Sequence, residues 1–224
     1  MHFIHQLLSK QTGKLILQSI FWLPVIFFSV LLVINTIPYF DFSKSHPFIH
    51  ERLPLFNISL YSFCFYTHIA AGILCITSVL IQFSQVILQK QTKLHIWSGR
   101  IYVFVVLLIA APTGMFMSFF AKGSVMEKIL FMLMAIIWLY TTVRGVETIL
   151  KKNVKAHKQW MIRSYAMALT AVTFRIYHIV FHLLAWDHLA NYEISLWISV
   201  LGNIAFAEVL IYLKTKNYKQ TFLT

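Results

Sequence analysis

The chain has 224 residues, of which 59% are apolar or aromatic and only 12% are charged. A soluble domain carries about 25% charged residues to cover its water-facing surface, so most of this exterior must meet hydrocarbon. The net charge of +12 does not mark a nucleic-acid-binding protein, because the basic residues gather at the ends of apolar segments and not on one face.

Crossing a hydrocarbon core of about 30 Å takes about 20 apolar residues in a helix. Six such segments use up the length, which reads as a single transmembrane domain over residues 1–224, an all-α bundle of six helices. The apolar runs are too long and too continuous for barrel strands, which alternate over about 10 residues. Segment one covers 15–37. It starts like a signal peptide, but its apolar run is too long and its exit, Asn35-Thr36-Ile37-Pro38, offers no small-residue cleavage site, so it reads as a retained anchor. Residues 38–57 form the longest loop, marked by Pro38, Pro47 and Pro54. Segment two covers 58–88 and segment three 96–121, with a kink expected at Ala111-Pro112-Thr113-Gly114. Segments four, five and six cover 127–150, 158–186 and 195–213.

Basic residues set the orientation. Thirteen Lys and Arg fall at the N-terminus, around 90–100, around 151–163 and in the C-terminal tail; four (Lys44, Arg52, Lys122 and Lys128) fall on the other side. Both termini are therefore expected on the cytoplasmic face of the cytoplasmic membrane. Anionic lipid headgroups are the expected partners of the cationic ends there.

The sequence echoes itself once. Lys93-Leu94-His95 leads through Trp97 to Arg100 and Tyr102, and Lys155-Ala156-His157 leads through Trp160 to Arg163 and Tyr165. Two readings stand: interfacial anchors, since Trp and Tyr favour the headgroup level, or a duplicated His–Arg element forming a site at the inner surface from His95, Arg100, His157 and Arg163.

Ionisable residues inside a span cost about 2.5–3.5 kcal/mol each on insertion scales. His68 in segment two and Arg175, His178 and His182 in segment five are therefore candidates for an outer polar layer. His68 and His178 lie about 15 Å and 12 Å below the expected outer boundary, and Gly72 follows His68 on the same face. Three chemistries fit. Haem b could be held by two imidazoles with an Arg on a propionate. A metal could take His68, His178 and His182, since i,i+4 histidines chelate. An anionic substrate or a quinone could sit against Arg175 and the histidines. A purely structural polar network also fits. His157 and His178 are too far apart along one helix, about 31 Å, for a two-haem stack. Deeper charges, Arg144, Glu147 and Glu208, call for mutual pairing, Glu208 with an Arg. In the outer loop, Asp41, His46, His50 and Glu51 form a weaker metal candidate.

At His68, at Lys93–Tyr102 and in the stretch His157-Lys158-Gln159-Trp160-Met161-Ile162-Arg163-Ser164-Tyr165 followed by Arg175, the chain resembles an uncharacterised family of bacterial membrane proteins, the domain of unknown function 2306, over residues 60–185. That resemblance implies a multipass topology and no activity. The layout of histidines on a small bundle is more loosely similar to b561-type cytochromes, from which the His spacing and the placement of His95 and His157 at helix starts depart. The sequence thus points to a b-type haem electron-transfer protein with a quinone or redox partner, or alternatively to a non-catalytic transporter or membrane assembly factor. Whether it is an enzyme stays open.

Overall fold

The computed structural model describes residues 22–221. The start of segment one, with Lys10 and Lys14, lies outside the described residues. Helix α1 (22–36) runs into a 3-10 turn at Ile37–Asp41, and two short helices, α2 (Pro47–His50) and α3 (Leu53–Phe56), fill the proline-marked loop. Then follow α4 (Ser59–Phe83), α5 (Gln85–Lys90), α6 (Thr92–Val105), a π turn at Val106–Ala110, α7 (Ala111–Ser118), α8 (Val125–Leu150), α9 (Val154–Ala168), α10 (Thr170–Leu183) and α11 (His188–Thr221). Among the described residues, five helices are long and apolar enough to cross a membrane, and α9 with α10 makes a sixth span bent by 43°. Large apolar side chains stand exposed in mid-helix, among them Phe63, Phe104, Leu108 and Leu133. An outward face of this kind is stable only against hydrocarbon. The chain is a multipass membrane protein.

Local chemistry explains the boundaries. Segment two stops at Phe83, earlier than 88, because Ser84 turns extended and its hydroxyl accepts from Ile87 N–H, starting α5. Segment four starts on a capping box: Ser124 Oγ accepts from Met126 N–H at 3.1 Å, and the Glu127 carboxylate accepts from Ser124 N–H at 2.7 Å. Gly123 takes the left-handed φ of 96° before that cap, a conformation that suits glycine. Segment six starts at His188, seven residues before the expected 195.

Segment three bends differently from the expected proline kink. Pro112 has no N–H, and its ring crowds the carbonyl four residues back. The helix absorbs this one turn early: Val106–Ala110 widens to a π turn, in which Ala111 N–H bonds to Val106 O.

The break in segment five, at Leu169–Thr170, has neither Gly nor Pro. Asn203 of α11 inserts its amide there, donating to Ala166 O at 3.0 Å and reaching Thr170 Oγ1 and Thr173 Oγ1 at 3.3 and 3.1 Å. The two threonines also bond back across the break, Thr170 to Ala166 O and Thr173 to Leu169 O, which favours bending.

The centre of the bundle is a closed polar knot. Trp138 Nε1–H donates to Tyr102 Oη at 2.9 Å, Tyr102 Oη meets Ser164 Oγ at 2.8 Å, and Ser164 meets Thr142 Oγ1 at 2.7 Å. Tyr102 and Tyr165 are buried and pack ring to ring at 4.8 Å. They are core residues joining α6, α8 and α9, which corrects their expected place as interfacial anchors; Trp97 remains exposed.

Candidate functional site

A cavity of about 380 Å³ opens inside the bundle between α4, α7, α8, α10 and α11. It runs from the end that carries the 37–57 loop, where Arg52, Lys122 and Tyr192 line it, down to Cys75, Trp138 and Met167. Most of its wall is apolar or aromatic. Three strongly basic side chains, Arg52, Lys122 and Arg175, line it together with His68, and no Asp or Glu does.

His68 is held by the irregular stretch opposite. Its Nδ1 lies 3.1 Å from Ala110 O and 3.0 Å from Thr113 Oγ1. A carbonyl only accepts, so Nδ1 carries the proton and Nε2 keeps its lone pair. The approach needs Gly114, where a Cβ would stand 3.2 Å from His68 Cε1. Gly72, one turn further along α4, faces nothing within 4 Å; the missing side chain there leaves cavity space, not room for a neighbouring helix.

Arg175 comes from the other wall, exposed to the cavity while enclosed by the bundle. Its Nη1 donates to Ala171 O at 2.7 Å. No carboxylate lies within ion-pair distance of it among the described residues, which include all seven acids of the chain. Six of those acids are committed elsewhere. Asp41 pairs with His46, Glu51 with Lys122, Glu147 with Arg144 and Glu208 with Arg163. Glu127 holds its cap and meets Trp197, and Asp187 accepts from the backbone of Leu189 and Ala190.

The remaining outer candidates part from this pair. His178 does not line the cavity; its ring stacks on Phe174 at 5.6 Å, faces His188, and leaves a buried Nδ1 without a partner. His182 is exposed in the last turn of α10. The expected metal set of His68, His178 and His182 is therefore not assembled, and no other group of three His, Cys, Asp or Glu with metal-site placement occurs among the described residues. The reason is rotational: α10 turns Arg175 to the cavity, and the Asn191 amide bonds the His178 carbonyl beside α11. The loop candidates likewise separate into Asp41–His46 and Glu51–Lys122, with His50 exposed.

The cavity mouth is clasped across a long stretch of chain. Arg52 Nη1 donates to Phe120 O at 2.7 Å, and Lys122 Nζ lies 2.5 Å from Glu51 Oε1. The Lys122 hydrogen bond holds the Glu51 carboxyl below its ordinary range.

At the opposite end the echoed segments form structural pairs. His157 Nδ1 bonds to Gly145 O at 2.8 Å, and His157 and Lys158 lie near His95, whose Nδ1 is buried without a partner. Arg163 forms a two-armed pair with Glu208, at 2.5 and 2.8 Å, and stacks on Trp160 at 4.7 Å. Arg100 lies over Trp97 at 5.2 Å.

A family model described as a predicted membrane protein, DUF2306, matches residues 65–211. The chain belongs to the DUF2306 family. No curated protein and no solved structure matches it. The DUF2306 match includes His68, Gly72, Trp138 and Arg175, and stops short of the loop that carries Glu51 and Arg52.

Proposed function

We propose that this DUF2306 protein is a non-catalytic membrane binding protein, taking an amphipathic anion into the cavity between His68 and Arg175. One observation carries the reading: Arg175 faces an apolar cavity inside the membrane with no acid of its own chain to neutralise it. An arginine at that depth is costly and is retained where something pairs with it. Lys122, Arg144 and Arg163 each have a carboxylate of the chain beside them, and Arg175 does not, so its counter-charge is left to a ligand. A volume of about 380 Å³ suits a small amphiphile. His68 adds a directional acceptor at Nε2 for a protonated oxygen.

The basic residues, thirteen against four, favour both termini inside and the clasped mouth outside. The site then serves uptake, carriage or hand-over of the anion from the outer half of the cytoplasmic membrane, the work of a transporter or an assembly factor. A haem held by two histidines has no support in this geometry, since His68 alone lines the cavity. A neutral quinone would leave the Arg175 charge uncompensated.

The test uses the full chain in saturated phosphatidylcholine nanodiscs with decanoate, decyl phosphate and neutral decanol. Both anions are expected to raise the unfolding temperature while decanol does not, and Arg175→Gln abolishes the response. An equal response to decanol, or none to either anion, overturns the reading. A Soret band after expression with ample haem, lost in His68→Ala, would replace it with haem binding.

A further inference from the structure

The cavity is not uniform along its length, and its gradient fixes how an amphiphile fits. His68 lies nine residues below the start of α4 at Ser59 and Arg175 eight residues below the end of α10 at Leu183, about 14 Å and 12 Å of helix. They make one polar layer. Above it, towards the mouth, stand Arg52 and Lys122; below it, Gly72, Cys75 and Trp138 lie about 20–24 Å from the same end. The floor therefore extends about 10 Å beyond the layer.

The polar groups of that floor are spent inside the bundle: Thr170 Oγ1, at the same depth, donates to Ala166 O and accepts from the Asn203 amide. The Trp138 indole N–H is spent on Tyr102 Oη, Cys75 is a small buried thiol that behaves as a hydrophobe, and Ile76 and Met134 complete the wall. The thioethers of Met134 and Met167 are pliable and adapt to varied shapes. Of the cations above, Lys122 is paired with Glu51, and the neighbouring Arg52 lies in the field of the same carboxylate. Arg175 alone keeps a full charge with no acid beside it, so the anionic head stops at its level and not at the mouth.

Resting on the reading above, we infer that the ligand is a single-headed amphiphile of the carboxylate or phosphate class, bound with its head between His68 and Arg175. Its apolar body points away from the mouth, along the open face left by Gly72, and ends against Trp138. A molecule with charge at both ends is rejected, because the floor has no group to solvate the second charge.

The experiment titrates the full chain in saturated phosphatidylcholine nanodiscs with decanoate brominated at carbon 10 or at carbon 2. Bromine quenches an indole that it touches. The 10-bromo acid is expected to remove most of an emission component that is missing from Trp138→Phe, and the 2-bromo acid to leave that component intact. Where Trp138→Phe fails to fold, Gly72→Phe serves in its place: it keeps the indole, fills the floor and abolishes the quenching. Decanedioate, charged at both ends, is expected neither to stabilise the chain nor to compete. Equal quenching by the two isomers, or quenching by neither while both acids stabilise the chain against heat, overturns the orientation and leaves anion binding standing. Tight binding of decanedioate overturns the single-headed class. If neither bromo acid stabilises the chain at all, it is the binding reading itself that fails.

Discussion

His68 on α4 and Ala110 at the end of the π turn are joined by a hydrogen bond of 3.1 Å from Nδ1 to the carbonyl. The bond ties the proline-driven distortion of segment three to the polar layer of the cavity, since it sets both the tautomer and the aim of the ring. His68→Leu removes the donor and leaves the Ala110 carbonyl short of one partner, at a cost of about 1–3 kcal/mol. His68→Gln can still donate and is expected to keep most of the stability while weakening decanoate binding. Thermal unfolding and anion titration of the two variants separate the structural part of the histidine from its role towards the ligand.

Arg175 gives a prediction of unusual sign. Without ligand its charge is uncompensated, and placing such a charge in a span costs about 2.5–3.5 kcal/mol on insertion scales. Arg175→Gln is therefore expected to raise the unfolding temperature of the ligand-free chain. The same variant loses the further rise that decanoate gives the wild type. A loss of ligand-free stability would mean that the guanidinium is needed structurally, through Ala171 O.

The mouth clasp has a pH signature. The Lys122 hydrogen bond lowers the Glu51 carboxyl below its ordinary value of 4.5. A carboxyl depressed in the folded state contributes stability above its unfolded pKa, and that contribution is lost as pH falls through the folded value. The difference in unfolding midpoint between wild type and Glu51→Gln is thus expected to be constant near neutrality and to shrink to nothing below the depressed value. A difference that grows on acidification would contradict the pairing.

The multipass, all-helical architecture was legible in the sequence because hydropathy is a sum over many residues. The identities of His68 and Arg175 were legible because ionisable groups in a span are rare. Their separation from His178 was not. That outcome depends on how α10 is rotated about its axis, which turns Arg175 to the cavity and His178 towards Phe174 and His188; the rotation goes with contacts between distant segments, such as the Asn191 amide on the His178 carbonyl, and not with local propensity. The knot of Trp138, Tyr102, Ser164 and Thr142 was hidden for a similar reason: Tyr at a helix start looks interfacial until its hydroxyl is seen to have a buried partner. The echo around His95 and His157 was visible, but motif similarity alone did not distinguish a site from a set of structural pairs.

That knot predicts a large effect from one oxygen atom. Tyr102→Phe keeps the ring against Tyr165 but strands Trp138 Nε1–H in the interior. The expected loss is about 1–3 kcal/mol, read as a lowered unfolding midpoint. Decanoate affinity should change much less, because Trp138 meets the ligand through its ring and not its N–H.

Gly72 separates stability from binding most cleanly. A glycine inside a helix is less favourable than alanine by about 1 kcal/mol, and a Cβ here would meet nothing within 4 Å. Packing gives no reason for it. Gly72→Ala is accordingly expected to stabilise the chain by up to about 1 kcal/mol and to leave room for a slender acyl body. Gly72→Phe enters the same space with a full ring, so the chain should fold and decanoate affinity should collapse. If Gly72→Phe bound decanoate as tightly as the wild type, the apolar body would have to lie elsewhere than along α4. If Gly72→Ala destabilised the chain, the open face seen here would have to be closed by another part of the protein.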